Sequence, residues 1–470
     1  MSRDGTPVST RQRQRVLVVG LDCATPDLVF DRFLPELPTL RDLVARGMWG
    51  RLESTIPPIT VPAWAAMMTG KDPGVLGFYG FRNRKDYSYE GLSTVTSGSL
   101  REPAVWDLLS ARERPSIVLG VPPAYPSKPI VGCSVSCFLT PPDPTRPATH
   151  PPSLLRDLEA QFGRYHFDVD DFRTEDKTRL LGDIHEMTKQ RFSVFRHLVR
   201  TQPWDFAMGV DMGPDRLHHG FWKFFDPLHR KHEPGHPLGS AIPDYYRLAD
   251  AEIGELLREV GDETTVLVMS DHGAKRMDGG ICINEWLMRE GLLTLSSPVS
   301  AITPFASAPI DWSRTMAWGE GGYYSRIFLN IKGREPRGVI APQDYDTVRD
   351  DLAARLEAMT DEAGRPLGTA VYKPERIYRE VRGVAPDLIV LFGDLHWRSV
   401  GTFGHGTVWV YENDTGPDDA NHAMHGLYIL AGPRVTARGR HDARWNQISP
   451  TLCRLLDLPM PEGVEGRSMV

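Results

Sequence analysis

The segment 15–22, RVLVVGLD, is a nearly continuous apolar run that ends in an acidic residue. A second segment of this kind, Thr264–Met269, is followed by Ser-Asp-His-Gly at 270–273. Parallel strands that are covered on both faces show this character, whereas half-exposed strands alternate apolar and polar residues. Five further runs are predicted to be strands for the same reason, at 116–120, 205–210, 326–330, 387–392 and 427–430.

Stretches with helical periodicity lie between these runs. In one of them, Leu248, Ile253, Leu256 and Leu257 recur at the spacing of one helical face. Alternating strands and helices over this length predict an α/β fold, doubly wound, with a mostly parallel central sheet flanked by helices. The predicted helices span Pro38–Arg46, 179–200, 245–260 and 345–359.

The composition excludes several classes of protein. The chain has 470 residues, of which 61 are acidic and 54 basic, and its formal net charge is −7. No apolar run approaches the ~18 residues that a membrane-spanning helix needs. A net negative charge does not favour a surface that binds nucleic acid or anionic lipid. We therefore expect neither a nucleic-acid polymer nor a membrane as partner.

The cysteines and the N-terminal sequence provide indications of the cellular compartment. The five cysteines contain no Cys-x-x-Cys pair, so neither a disulfide framework nor a structural zinc ribbon is expected. The first apolar run, 16–21, is shorter than the ~7–15 residues of a signal peptide, and no small-residue cleavage site follows it. These features predict a cytoplasmic protein with a disordered N-terminus over 1–14.

The rest of the chain, 15–470, is predicted to form a single domain. Two segments of this domain do not follow the alternation of strands and helices. Residues 138–176 are rich in proline, and residues 294–325 mix serine, proline and aromatic side chains. Because long irregular segments in a compact domain are often functional, we predict that both are cap insertions over the site.

Metal-ligand side chains recur where the predicted strands end. In open α/β sheets, ligands bind at the carboxyl ends of the strands, and aspartate and histidine are ligands for Zn²⁺ or Mn²⁺. Each side chain alone is compatible with a turn or a helix cap, so the prediction depends on their combination. The candidates are Asp22, Asp215, His219, Asp271, His272 and His422. Asp211 is a rival to Asp215, but Asp215 and His219 share a helical face.

Five sequence blocks support a family resemblance. They are 60–77 (TVPAWAAMMTGKDPGVLG), 215–222 (DRLHHGFW), 270–273 (SDHG), 421–433 (NHAMHGLYILAGP) and 448–467. In this order and spacing, the sequence resembles the alkaline phosphatase superfamily, specifically its type I phosphodiesterase/nucleotide pyrophosphatase branch. The resemblance extends from about residue 15 to residue 467.

The resemblance implies a two-metal hydrolase that acts on a small phosphoester or nucleotide-like substrate. One divalent metal, Zn²⁺ or Mn²⁺, is expected at Asp22, Thr60, Asp271 and His272, and the other at Asp215, His219 and His422. Thr60 is implied as the nucleophile, since metal coordination favours its alkoxide. Its attack on phosphorus gives a covalent phospho-threonine, which water then hydrolyses.

Some positions depart from the family pattern. Eukaryotic pyrophosphatase relatives carry His-Gly and then Asn after the Thr-Gly, where this chain has Leu76-Gly77 and Phe81. Asn83 is a candidate to replace the missing donor to a phosphoryl oxygen. Other residues near the blocks have either a site role or an ordinary structural one: Trp64, Tyr79, Arg82, Arg84, Lys85, His218, Trp222, His405 and His425.

Three alternatives remain open from the sequence. The same fold and metal ligands suit a phosphomonoesterase or a phosphonate hydrolase, whereas a sulfatase is disfavoured because no Cys-x-Pro-x-Arg segment is present. A catalytically silent metal-binding protein is a second alternative. A dinucleotide-dependent oxidoreductase is the third, but no Gly-x-Gly-x-x-Gly follows the first strand.

Overall fold

The computed structural model describes residues 14–470. The predicted disordered stretch 1–14 therefore lies, apart from Gln14, outside the described residues. Within the described range the strands are β1 Arg15–Leu21, β2 Met48–Glu53, β3 Arg82–Arg84, β4 Leu92–Thr94, β5 Ser116–Leu119, β6 Gly132–Val135, β7 Thr149–His150, β8 Phe206–Asp211, β9 Thr264–Met269, β10 Gly273–Arg276, β11 Gly279–Cys282, β12 Ala317–Glu320, β13 Ser325–Leu329, β14 Ala370–Tyr372, β15 Leu388–Leu391, β16 Trp397–Val400, β17 Trp409–Val410, β18 Ala420–Ala423, β19 His425–Ala431, β20 Gly439–Arg440 and β21 Ala443–Arg444.

The helices begin and end close to the predicted positions. The predicted helix 179–200 is α6, which starts where the Asp176 carboxylate accepts a hydrogen bond from the Arg179 backbone N–H. Over the described residues the α-helices are α1 Pro38–Arg46, α2 Thr60–Thr69, α3 Pro73–Leu76, α4 Val105–Ser110, α5 Leu154–Phe162, α6 Lys177–Thr201, α7 Gly213–Phe225, α8 Ala241–Val260, α9 Ile283–Arg289, α10 Tyr345–Glu357, α11 Pro374–Ile377 and α12 Ile448–Leu455.

A ten-stranded sheet forms the centre of the molecule. Its strand order is β20-β2-β19-β9-β1-β8-β5-β6-β7, and β21 also pairs with β2. Strands β9, β1, β8, β5 and β6 run parallel to one another, whereas β19 is antiparallel to both β9 and β2. Every residue of β1 after Arg15 is buried, as expected for a strand covered on both faces. The predicted doubly wound, mostly parallel α/β fold is confirmed.

Three of the predicted strands pair differently from the expectation. The run at 427–430 lies in β19, which joins the central sheet in the antiparallel direction. The runs at 326–330 and 387–392 lie mainly in β13 and β15 of a separate antiparallel sheet with the order β12-β13-β15-β14. An apolar run indicates that a strand is buried, but it does not indicate which strand pairs with it or whether the pairing is parallel or antiparallel.

This second sheet has its own hydrophobic core. Buried side chains from Ile281 to Val408 form a cluster distinct from the one around the central sheet. Helices α9 and α10 contribute to it through Leu287, Leu352 and Leu356. The division of the chain into a single domain with two cap insertions stays a prediction.

Two other sequence features can be located. The five cysteines are all buried and free. Among the helices formed by residues 14–470, none combines the length and the apolar character that crossing a bilayer requires.

Candidate active site

The carboxyl ends of the central strands bring the predicted ligands together. Asp22 directly follows β1, and its backbone N–H donates to the carbonyl of Asp211 at the end of β8. Asp215 and His219 lie on α7, which begins after β8. Asp271 and His272 follow β9, and His422 lies on β18, opposite Ala274 of β10. All six side chains are buried.

The first group consists of Asp22, Asp271 and His272. His272 Nε2 lies 3.2 Å from Asp271 Oδ2 and 3.8 Å from Asp22 Oδ1. Thr60 joins this group from the start of α2, with its Oγ1 3.3 Å from His272 Nε2. Trp64, one turn further along α2, donates from Nε1 to Asp22 Oδ2 at 2.6 Å and so directs the other oxygen into the group.

The second group consists of Asp215, His219 and His422. Asp215 Oδ1 lies 3.3 Å from His219 Nε2 and 3.8 Å from His422 Nε2. The other oxygen of Asp215 accepts a hydrogen bond from Arg216 at 2.5 Å. The two groups adjoin, because the rings of His272 and His422 stack with centroids 3.8 Å apart.

The histidines present the same nitrogen to both groups. Nδ1 of His272 donates to the Gly273 carbonyl at 3.1 Å, and Nδ1 of His422 donates to the Pro58 carbonyl at 2.9 Å. A carbonyl can only accept, so Nε2 keeps its lone pair. This is the arrangement by which a ligand histidine is oriented for a metal.

Unpaired buried atoms test whether cations fit here. Asp22 Oδ1, Asp271 Oδ2, His219 Nε2 and His422 Nε2 are buried without any hydrogen-bond partner. Buried polar atoms are normally paired, because an unsatisfied one costs free energy. In each group one atom from each of the three side chains lies within 4.8 Å of the others, so two ligand sets of mixed carboxylate and imidazole donors fit two divalent cations.

The pKa values of the three carboxylates are shifted because these groups are buried close to one another and to other charged side chains. Burial, together with the charge of Asp215, raises the pKa of Asp22 well above its usual range, and burial and the Asp22 charge do the same for Asp271. Burial also acts to raise the pKa of Asp215, but His219 and Arg216 hold it well below its usual value. Bound cations would favour the charged form of all three carboxylates.

Asp418 is a site residue that the sequence analysis missed. Its fully buried side chain accepts a hydrogen bond from His219 Nδ1 at 2.8 Å. Burial acts to lower the pKa of His219, but Asp418 and Asp215 raise it to about 9. Asp418 stands four residues before His422, and nothing in that spacing distinguishes it from the neighbouring Asp419.

We expect Asp418→Asn to weaken metal binding at the second group about 10–100-fold, because the carboxylate orients His219 and increases its basicity. Titration of the metal-free protein with Zn²⁺, followed by calorimetry, measures this change. Asp419→Asn is the matched control, since Asp419 contacts His219 only through the backbone. Equal affinities in the wild type and Asp418→Asn would contradict the positioning role.

A cavity of about 1400 Å³ opens beside the two groups. Thr60, Asp215 and His422 lie in its wall. Both segments predicted as caps contribute to the wall, through Phe138, Phe172, Phe305 and Trp312 among others. Ligand pockets commonly enclose ~300–1,000 Å³, so this cavity holds a molecule considerably larger than a phosphate group.

Several other sequence candidates lie outside the ligand groups. The carboxylate of Asp211 accepts hydrogen bonds from Thr188 and Tyr245, which leaves Asp215 in the ligand group. The amide of Asn83 bonds to the backbone of Tyr79 and Gly80, so it is occupied within its own turn.

The spare histidines, the basic residues and the aromatic residues also have definite positions. His218 bonds to Tyr246, His405 bonds to Thr402, and His425 is exposed. Arg82 and Arg84 line the cavity, as does Phe81, whereas Lys85 is an exposed residue outside its wall. Trp222 and Tyr79 are buried, and they donate hydrogen bonds to Asp226 and to the Arg382 carbonyl.

Known structures share this fold over almost their whole length. Murine ectonucleotide pyrophosphatase / phosphodiesterase 5 is 15% identical with a TM-score of 0.54, over 95% of this chain and 96% of that one. The human protein is 13% identical with a TM-score of 0.55, over 97% of both chains. Phosphonoacetate hydrolase from Sinorhizobium meliloti 1021 is 17% identical with a TM-score of 0.61, over 95% of this chain and 96% of that one.

Comparison of sequences identifies the family. A search of curated proteins finds no match. The family model described as type I phosphodiesterase / nucleotide pyrophosphatase matches residues 16–427, a span that contains all seven candidate site residues. The resemblance inferred from the sequence blocks is thereby confirmed. The chain belongs to the type I phosphodiesterase / nucleotide pyrophosphatase family.

Proposed function

We propose that the protein is a metal-dependent phosphodiesterase that acts on a small phosphoester through a covalent phospho-threonine at Thr60. The observation that carries the proposal is the position of Thr60. Its hydroxyl lies 3.3 Å from His272 Nε2 and in the wall of the large cavity, next to both ligand groups. A phosphoester in the cavity thus meets the hydroxyl and the ligand groups at the same place.

Asp22, Thr60, Asp271 and His272 would hold one divalent cation, and Asp215, His219 and His422 the other; we propose Zn²⁺ or Mn²⁺. When bound, the two cations favour the Thr60 alkoxide and offset the negative charge that develops on the phosphoryl oxygens. Five of these ligands, Asp22, Asp215, His219, Asp271 and His272, are drawn from the edge of the central sheet, its adjoining turns and α7, which keeps the reacting groups in fixed positions. His422 comes from β18 of the neighbouring two-stranded sheet, and Thr60 from the start of α2.

Thr60 Oγ1, after losing its proton to solvent, forms a bond to phosphorus while the bond from phosphorus to the leaving oxygen breaks, and the leaving group departs with that electron pair. The intermediate is a phospho-threonine that still carries the second ester arm. Water then attacks phosphorus, the bond from phosphorus to Thr60 Oγ1 breaks, and a proton from this water restores the Thr60 hydroxyl as the monoester product leaves. The start of α2 supports the first step, because a helix N-terminus carries partial positive charge that favours an anionic oxygen.

Phosphoryl chemistry of small molecules is also indicated by two structural neighbours. An inactive form of the murine phosphodiesterase was determined in complex with AMP, and the phosphonoacetate hydrolase in complex with phosphonoformate. The volume of the cavity favours a diester with two substituents over a small phosphonate or a monoester. The cytoplasmic location expected from the sequence stays a prediction.

A panel of p-nitrophenyl substrates tests the proposed reaction. We expect kcat/KM for a p-nitrophenyl phosphodiester to exceed the values for the monoester, the phosphonate and the sulfate by at least about tenfold each, because the cavity accommodates a second ester arm. Release of p-nitrophenolate by the Zn²⁺- and Mn²⁺-loaded protein is measured. A many-fold preference for the monoester or the phosphonate would replace the proposal with that activity. Lack of turnover on every substrate would favour a silent metal-binding protein.

A further inference from the structure

Six arginine side chains lie in the wall of the cavity. Four of them are neutralised by close acidic partners: Arg84 by Glu335, Arg173 by Asp418, Arg216 by Asp168 and Asp215, and Arg326 by Glu320. Arg82 is exposed, so water can satisfy its donors. Arg398 is the remaining arginine of the described cavity wall; it is buried, and its two acidic neighbours, Asp414 and Asp418, are within ion-pair distance but do not hydrogen-bond to it.

The Arg398 guanidinium is buried, yet no side chain or backbone group of residues 14–470 accepts a hydrogen bond from it. Its side chain is 6% exposed, and its Nε and Nη1 lack any partner. The nearest carboxylate oxygens, on Asp414 and Asp418, lie 3.5 Å and 3.9 Å away, beyond the length of a normal hydrogen bond. A buried guanidinium with open donors is costly unless a ligand satisfies it.

Both carboxylate oxygens of Asp418 already accept hydrogen bonds from other side chains. Its Oδ1 accepts from His219 Nδ1 at 2.8 Å, and its Oδ2 accepts from Arg173 Nε at 3.2 Å. Asp414 accepts from Thr402 through Oδ2 at 3.0 Å, whereas its Oδ1, which lies 3.5 Å from Arg398 Nη2, is buried without a hydrogen-bond partner. Neither carboxylate forms a hydrogen bond with Nε or Nη1 of Arg398, which stay open.

A single aromatic ring separates Arg398 from the second ligand group. Its Cζ lies 6.0 Å from the centroid of Tyr323. The Tyr323 ring stacks on His422 and His219, with centroid distances of 4.1 Å and 4.7 Å. An anion at Arg398 would consequently be near the phosphoryl group, but would not replace it.

The backbone holds Arg398 rigidly in this position. It lies on β16, which pairs in parallel with β11. The next residue, Ser399, exchanges two backbone hydrogen bonds with Gly322, at 2.8 Å and 2.9 Å. Because the backbone is fixed and the side chain is buried, the guanidinium loses less freedom than an exposed one when it binds a planar or tetrahedral anion.

We propose that Arg398 determines specificity by binding a second anionic group of the substrate, so that the substrate is a phosphodiester with one ester arm that ends in a carboxylate or a phosphate. This inference rests on the proposed phosphodiesterase function and narrows its substrate class. Carboxylate and phosphate oxygens are the acceptors that match the open donors of a guanidinium.

Three p-nitrophenyl phosphodiesters test this inference; their second arms have equal lengths and end in a carboxylate, a phosphate or a neutral amide. We expect the wild type to show a higher kcat/KM for an anionic arm than for the amide arm. In Arg398→Gln this ratio should fall about tenfold or more, mainly through KM, because charge-assisted hydrogen bonds are lost. Comparison of the carboxylate and phosphate arms identifies the preferred anion.

Two further variants separate a local contact from a general effect of charge. Arg82→Gln removes one positive charge from the same cavity. In this variant the ratio of kcat/KM for an anionic arm to that for the amide arm should change less than about twofold. Asp414→Asn removes the carboxylate that competes most closely with a substrate anion for Arg398. In this variant the ratio of kcat/KM for an anionic arm to kcat/KM for the amide arm should rise about two- to fivefold. This second change has the opposite sign, so it tests the inference even where Arg398→Gln folds poorly.

Calorimetric titration of the same three diesters into metal-loaded Thr60→Ala measures binding without turnover. Arg398→Gln in that background should weaken binding of the anionic arm by about tenfold. Equal binding of anionic and neutral arms, or equal losses in the Arg82 and Arg398 variants, would overturn the inference. Hydrolysis of the neutral diester in that case would leave the proposed phosphodiesterase function standing.

Discussion

Thr60→Ala is expected to reduce the hydrolysis of phosphodiesters by about 10³-fold or more, because removal of a nucleophile eliminates the covalent route. The variant should keep its metals, since the two groups retain their three carboxylates and three imidazoles. Initial rates with a p-nitrophenyl diester, together with elemental analysis, measure both properties. Mass spectrometry of the acid-quenched wild type should also detect, on Thr60, a phosphoryl group that still carries the second ester arm.

Two variants serve as controls for Thr60→Ala. Thr60→Ser keeps a hydroxyl at the same place, so it should retain a measurable fraction of the activity and form the corresponding adduct on serine. Thr69→Ala alters a buried threonine at the other end of α2, whose hydroxyl donates to the Ala65 carbonyl and accepts from the Lys71 backbone N–H. Near-normal turnover by Thr60→Ala, or an effect of equal size in Thr69→Ala, would refute the nucleophile assignment.

Removal of metal is expected to abolish activity and to destabilise the fold. Loss of the cations costs the transition state several kcal/mol of charge stabilisation, which corresponds to about 10³-fold or more in rate. It also leaves Asp22, Asp215 and Asp271 buried beside one another. Elemental analysis should find two equivalents per chain, and thermal unfolding of the apo and reloaded protein should show a higher Tm with metal. Each site filled at ~1,000 times its Kd adds about 4 kcal/mol.

A pair of aspartate variants makes this expectation specific. Asp271→Asn should retain about one equivalent of metal, because only the first group loses a carboxylate. Asp211→Asn changes a buried carboxylate that hydrogen-bonds to Thr188 and Tyr245 outside both groups, so it should retain two. Full activity after exhaustive chelation, or two equivalents in Asp271→Asn, would contradict the two-metal assignment.

The central sheet and the placement of the ligands at its edge could be predicted from sequence for local reasons. A strand such as β1 has to be apolar along its whole length to be buried on both faces, and this leaves a clear pattern. The rule that ligands collect at the carboxyl ends of strands then brings Asp22 and Asp271 to one edge. The four-residue spacing of Asp215 and His219 likewise follows from helix geometry alone.

Residues that act through tertiary contacts left no comparable pattern. Asp418 orients His219, and Tyr323 stacks on His422, only because a distant loop and a separate sheet fold back onto the ligand groups. Arg398 is similarly one of many arginines in the sequence, and its burial follows from the pairing of β16. The second core escaped prediction for the same reason, since apolar runs such as those in β13 and β15 do not reveal that they form another sheet.

The position of β19 between β2 and β9 has a consequence for biosynthesis. His422, on the strand just before β19, is translated after every residue of the first ligand group. A nascent polypeptide therefore has Asp22, Thr60, Asp271 and His272 before the second group can close, and β2 and β9 lack the strand between them until β19 has been made. Metal loading at both positions thus has to follow the synthesis of His422.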